Sequence, residues 1–241
     1  MSVRPPIHGI VFDKDGTLLD YEASWRPINA RAAAIASRGD AELAVQLLAV
    51  GGADPYGGGA KADGLLAAGN TAEIAAAWIA AGAPGDVIGL TVELDALFRS
   101  AADTVVPAGD LRSIFGSLHE AGYVLGVASS DNEAAIRATL VRFEVDRLVA
   151  FVAGYDSGHG TKPGPGMVLG FCRATKIDPT EVAVVGDNRH DLLMGRAAGA
   201  GMTVGVLTGT GTKETLAGLA DAVLDSIADL GSLLIGSAPR S

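Results

Sequence analysis

The 241-residue sequence has a single cysteine, Cys172. One thiol excludes an internal disulfide and a cysteine-rich zinc site, and it fits a reducing compartment. Basic residues are also scarce, with 18 Lys and Arg against 28 Asp and Glu, a net charge of −10. No Lys/Arg cluster is available for the basic stripe that a phosphate backbone needs, which argues against long nucleic acid as a partner. No apolar run approaches the roughly 18 residues of a membrane span, so no membrane partner is expected. The apolar stretch in MSVRPPIHGIVFDKDG is too short for a signal-peptide core and meets acidic residues at once. Internal repeats and low-complexity tails are absent. These exclusions leave a cytoplasmic protein of one or two domains, long enough to bury a sizeable core.

What the sequence does have is glycine, 33 residues placed between apolar segments, where turns and phosphate loops need them. Residues 7–12, IHGIVF, read as a buried strand that ends in the polar turn DKDGT. From about residue 23 to 102 alanine and leucine dominate at helical spacing. Helices are predicted over 24–37, 41–50, 71–81 and 86–100, with Thr71 and Asp86 as N-caps. Between them, residues 51–64 form a glycine-rich loop of the kind that is functional or mobile. Beyond Pro107 strands and helices alternate. A helix over 110–121 precedes a strand over 123–128, and a helix then runs to about 141. Further strands are expected over 151–153, 181–185, 203–206 and 222–224, with helices over 167–175 and 191–198. That alternation predicts an α/β fold with a Rossmann-like parallel sheet and right-handed crossovers, its chemistry beyond the carboxyl ends of the strands. The helical stretch is inserted after the first strand. The division expected is a core of residues 1–20 and 106–241 and an all-helical cap of residues 21–105.

Polar groups stand at the ends of four predicted strands: Asp13 and Asp15, Ser129, Lys162 in a following loop, and Asp187 with Asp191 four residues on. Singly, each has a bland reading as a turn former, an N-cap or a surface charge. Jointly and in this order they do not. DKDGTL (13–18), ASS (128–130), KPGP (162–165) and GDNRHD (186–191) resemble the four motifs of the haloacid dehalogenase (HAD) superfamily, and they bracket a helical insertion where that family carries its cap.

The resemblance implies a Mg²⁺-dependent phosphomonoester hydrolase. Asp13 would attack phosphorus to give an aspartyl-phosphate. Asp15 would be the general acid/base, a group that the dehalogenase and phosphonatase branches lack. Mg²⁺ would be held by the carboxylates of Asp13 and Asp187 and the backbone carbonyl of Asp15, with Asp191 holding metal-bound water or Lys162. Lys162 and the Ser129 hydroxyl would stabilise the transferring phosphoryl oxygens. Gly16 would let the backbone approach the phosphate. Ser129 and Ser130 depart from a frequent Thr and Asn, and Lys14 from a commonly apolar position. Strand alternation would aim Lys14 away from the Asp13/Asp15 face. His159 and His190 read as surface or capping groups.

The cap must then select the leaving group. Lys61 in the glycine-rich loop and Arg26 are the candidate ligands for a second anion of the substrate. The layout is most similar to the phosphoglycolate phosphatases, so a small phosphoglycolate-like ester is expected. A sugar-phosphate phosphatase, a β-phosphoglucomutase-like phosphomutase and a catalytically idle binding module are the alternatives. A monomer and a homodimer are equally compatible with the sequence.

Overall fold

The computed structural model describes residues 6–54, 60–62 and 64–234. In chain order, β1 (Gly9–Phe12) is followed by five helices: α1 (Tyr21–Ala36), α2 (Ala41–Val50), α3 (Leu65–Ala68), α4 (Thr71–Ala80) and α5 (Val87–Ala101). The remainder alternates: α6 (Leu111–Glu120), β2 (Val124–Ala128), α7 (Glu133–Arg142), β3 (Val149–Ala153), α8 (Gly166–Thr175), β4 (Val182–Gly186), α9 (Arg189–Ala198), β5 (Met202–Val206), α10 (Lys213–Leu216), β6 (Ala222–Leu224) and α11 (Leu230–Leu234). Among the described residues no helix is long and apolar enough to cross a membrane.

The six strands form one sheet in the order β3-β2-β1-β4-β5-β6, every pair parallel. All four residues of β1 are buried, as a central parallel strand requires. Its alternate side chains feed two cores. Val11 faces Met167, Phe171 and Met194 of the helices on one side of the sheet. Ile10 and Phe12 face the other side, where Phe12 stacks on Phe115 at 5.1 Å between ring centroids. That second core continues without a break through Leu18 and Leu19 into Trp25, Trp78 and Leu94 of the inserted helices.

From β1 the chain goes to β2 and β3 on one side, then crosses to β4 on the other. The strand order therefore reverses beside β1, and the crevice above β1, β2 and β4 is the topological switch point where such sheets bind ligands. The inserted helices leave and re-enter at this edge. Their two connections lie side by side: Asp20 N–H donates to the Val106 carbonyl at 2.9 Å, and Ala108 N–H to the Leu18 carbonyl at 2.9 Å.

Some helix boundaries differ from the sequence reading. Helix α1 starts at Tyr21, three residues before the expected Ser24, because the Asp20 carboxylate accepts the Ala23 N–H and caps it. Helix α4 is capped by Asn70, not Thr71, in a reciprocal capping box with Glu73. Asp86 caps α5 as expected. Of the loop 51–64, residues 55–59 and 63 lie outside the described residues. Around them Ala53 and Ala60 form an isolated bridge, and the short α3 follows.

Candidate active site

The carboxyl end of β1 delivers Asp13, whose N–H still extends the ladder by donating to the Val185 carbonyl at 2.8 Å. Its carboxylate oxygen Oδ1 meets Lys162 Nζ at 2.5 Å, and the same ammonium meets Asp191 Oδ1 at 2.5 Å. Asp191 Oδ2 accepts the Asn188 N–H at 3.0 Å in the capping box of α9. Asp187, at the end of β4, accepts the Thr17 hydroxyl at 3.3 Å and the Thr210 N–H at 2.9 Å. Ser129, at the end of β2, is buried, and its hydroxyl accepts the Asp131 N–H at 3.1 Å. Asp13, Ser129, Asp131, Lys162, Asp187, Asn188 and Asp191 line one cleft of about 590 Å³ that opens to solvent.

Packing carboxylates this closely is electrostatically unfavourable. Burial is the largest effect on Asp13 and raises its pKa to about 7. Lys162 opposes the rise, and Asp191 and Asp15 add to it. Asp187 is raised well above the ordinary carboxylate value by burial, then by repulsion from Asp13 and Asp191. Burial alone would lower Lys162, yet the Asp13 and Asp191 carboxylates outweigh it and keep the ammonium protonated.

Ligand oxygens of Asp13, Asp187 and Asp191 lie within 4.8 Å of one another, all three residues buried. Three carboxylates facing one ammonium leave an excess of buried negative charge that a hard divalent cation with oxygen preference would neutralise. The residues therefore fit a divalent metal. Lys162 and the Asn188 N–H engage the two oxygens of Asp191, so one of its oxygens already faces an ammonium, whereas Asp187 meets only neutral donors.

Gly16 has φ +90°, and a Cβ there would lie 2.6 Å from the Asp187 carboxylate. The carboxylate and the left-handed turn both demand glycine at this point. Gly209 presses on the same carboxylate, where a Cβ would come within 1.9 Å of Oδ2.

Lys14 is not aimed away from the Asp13/Asp15 side. Its Nζ is 3.0 Å from Asp15 Oδ1, 2.8 Å from Asp131 Oδ2 and 5.4 Å from the Trp25 ring centroid. Alternation fails because the strand ends at Phe12. Residue 14 sits in a turn whose carbonyl accepts the Leu18 and Leu19 N–H groups. The Trp25 indole N–H donates to Asp15 Oδ1 at 2.7 Å, so Asp15 is held from the core by Lys14 and from α1 by Trp25. Burial raises the Asp15 pKa, and Lys14 opposes the rise.

Lys61 and Arg26, the expected anion ligands, are exposed and do not line the cleft. Arg26 falls on the solvent side of α1, whose inward face carries Trp25, Ile28 and Asn29. His190, expected as a surface or capping group, lines the cleft, and its Nδ1 is buried without a partner among the described residues. His159 packs against Phe151 at 5.4 Å. Sequence reading passed over Trp25, Asn29, Asp131 and Thr210. Thr210 carried the same signal as the chosen residues, a polar group in a glycine-rich turn after a strand. Trp25 and Asn29 stand four apart on α1 and so share a face.

The model of the haloacid dehalogenase-like hydrolase family matches residues 7–199. A phosphoglycolate phosphatase of Haemophilus influenzae is 32% identical over 120 residues, 48% of this chain and 52% of that protein. The chain spans about half the length of such curated relatives. CbbY from Rhodobacter sphaeroides, solved in complex with phosphate, superposes with a TM-score of 0.71 at 20% identity, covering 93% of this chain and 96% of that one. A hydrolase from Pseudomonas syringae gives a TM-score of 0.72 at 18% identity over 97% and 100% of the two chains. At these identities the structures speak for the fold alone, whereas the family model spans both sides of the helical insertion and all four strand-end motifs. With its parallel sheet, inserted helices and convergent carboxylates, this chain belongs to the haloacid dehalogenase-like hydrolases.

Proposed function

We propose that this chain hydrolyses a small phosphate monoester through an aspartyl-phosphate on Asp13. The observation that carries the reading is the contrast between two carboxylates two residues apart. Asp13 lies against the Lys162 ammonium among the converging carboxylates, while Asp15 is turned toward Trp25 and Lys14. The contrast supports Asp13 as the nucleophile and Asp15 as the proton carrier.

In this reading Asp13 attacks phosphorus in line with the leaving alcohol, and Asp15 gives that alcohol its proton. Asp15 then takes a proton from the water that cleaves the acyl phosphate. Lys162 and the Ser129 hydroxyl neutralise the phosphoryl oxygens, a matter of preset electrostatics. The carboxylates of Asp13 and Asp187 and the main-chain carbonyl of Asp15 would hold Mg²⁺, with Asp191 fixing Lys162. Bound there, the cation supplies charge neutralisation between the phosphate and the carboxylates. The core of residues 1–20 and 106–241 supplies the chemistry, and residues 21–105 form the cap that closes over the leaving group. The relatives named phosphoglycolate phosphatase support a small-metabolite ester as the class of substrate.

The deciding experiment is p-nitrophenyl phosphate turnover with Mg²⁺ and with chelator, on the wild type and Asp13→Asn. Loss of at least about 10³ in kcat with a retained melting temperature is expected for removal of the nucleophile. More than a tenth of the activity left in the variant, or full activity in excess chelator, would sink the reading.

A further inference from the structure

The cleft has two unlike walls. The sheet's carboxyl ends contribute the carboxylates and Lys162. The inserted helices contribute a mostly apolar wall in which Trp25, Phe98 and Tyr21 form an aromatic cluster beside Leu66 and Ile74, all buried, with Asn29 and Thr71 its polar side chains. Trp25 and Phe98 meet edge to face at 5.2 Å, and Tyr21 stacks on Trp25 at 6.5 Å. No residue that the described part of the insertion gives to this wall carries a charge.

Among the described residues, neither lysine at the cleft is spare for a second anion either. Lys162 is shared between Asp13 and Asp191, and Lys14 between Asp15 and Asp131. Arg26 and Lys61 lie off the wall. A carboxylate or second phosphate on the leaving group would be desolvated beside Asp15 and Asp131 without a counter-charge, which is strongly unfavourable.

One polar atom on the helical wall lacks a partner. Asn29 is 4% exposed, and its Oδ1 accepts no hydrogen bond. Its orientation is set by its neighbour. The Tyr21 hydroxyl donates to the Leu66 carbonyl at 2.9 Å, so its oxygen can only accept, and the amide N–H is the Asn29 group that suits it. Oδ1 is left as an acceptor on the cleft wall, and a buried acceptor without a donor is a cost that a ligand can relieve. His190 Nδ1 is a second unpartnered atom, on the opposite wall.

We propose that the substrate's leaving group is a neutral, ring-bearing alcohol that packs against Trp25 and Phe98, presents one N–H or O–H donor to Asn29 Oδ1, and carries no second anion. This rests on the phosphomonoesterase reading and narrows it, away from phosphoglycolate. It also explains why Trp25 serves both as wall and as donor to Asp15: a ring seated on Trp25 lies beside the group that protonates its oxygen.

The test compares four alkyl phosphates with Mg²⁺, namely phosphoglycolate, glycerol phosphate, phenethyl phosphate and tyrosol phosphate (the phenol-bearing analogue of phenethyl phosphate). Phosphoglycolate, whose leaving group is an anion, should fall below the two ring esters in kcat/KM by about tenfold or more, the scale of an uncompensated buried charge, and glycerol phosphate, which is neutral but has no ring to bury, by about tenfold. Tyrosol phosphate should lead phenethyl phosphate by about fivefold, one net hydrogen bond. Asn29→Leu should bring that last ratio to about one while the variant still folds, since the unsatisfied acceptor it removes offsets the amide contact to Tyr21 that it gives up. Phosphoglycolate or glycerol phosphate ahead of the ring esters, with turnover intact, overturns this inference and leaves the hydrolase reading standing. A tyrosol preference that survives Asn29→Leu overturns the role given to Asn29. Failure of all four esters and of p-nitrophenyl phosphate overturns the hydrolase reading itself, and this inference with it.

Discussion

Asp13, Asp15 and Lys14 are consecutive or nearly so in sequence, yet they answer to different forces. Asp13 and Asp15 could be marked from the sequence because DKDGTL is followed, in order, by three further strand-end motifs; alone, two such acids would read as turn formers. Lys14 could not be placed, because the alternation rule holds only while the strand lasts. Its ammonium stands between the half-buried Asp15 carboxylate and the buried Asp131 carboxylate. Lys14→Met would leave those two facing each other with no cation. The expected loss is about 3–5 kcal/mol, the usual result of breaking a buried ion pair from one side, measured by urea unfolding. A loss under about 1 kcal/mol would show that the pair is not structurally needed. Asp15→Asn should lower kcat on alkyl phosphates by about 10²–10⁴, the range for a lost general acid. The loss on p-nitrophenyl phosphate should be far smaller, since that leaving group needs no proton. Equal losses on the two ester types would remove the acid role.

Helices in this chain begin where a carboxylate or amide can accept the first free N–H groups. Asp20, Asp40, Asn70, Asp86, Asp110 and Asn132 all do so. Asp20 has the further task of standing at the hinge, where its own N–H pairs with Val106. Asp20→Ala should destabilise by about 1 kcal/mol, the typical worth of an N-cap, which lowers Tm by about 2–4 °C in a chain of this size. Calorimetry checks this, and an unchanged Tm would mean that α1 is held by its packing alone. Strands and long helices were legible because apolar periodicity is local. The short α3, α10 and α11 were not, since four or five residues carry too little period to read.

For the whole molecule, the cost of the site is set against the fold. Asp187 has its pKa raised in the folded state, so its carboxylate opposes folding at every pH above its unfolded value. That opposition is absent when the group is protonated and grows as pH rises through the carboxylate range. Asp187→Asn should therefore melt above the wild type in chelator at pH 7.5. The gap should shrink toward pH 4. Mg²⁺ at about a hundred times its Kd should raise the wild-type stability by about 2.7 kcal/mol, and the variant by much less. A variant that melts lower than the wild type in chelator, or equal Mg²⁺ shifts in both, would contradict a metal site built on Asp187.

The sequence by itself determined the sheet class, the inserted helices and the four strand-end motifs, because each is written in short-range pattern: period, turn chemistry and spacing from a strand's end. It did not determine which of those polar groups would neutralise which, that Lys14 would serve Asp15 and not the solvent, or that Arg26 and Lys61 would miss the cleft. Those outcomes depend on which helix face the second core draws inward. The shared cluster that joins Phe12 and Leu18 to Trp25 and Leu94 turns the aromatic face of α1 onto the site and leaves Arg26 outside. Burial of apolar area fixes that rotation, and only the packed tertiary structure sums it.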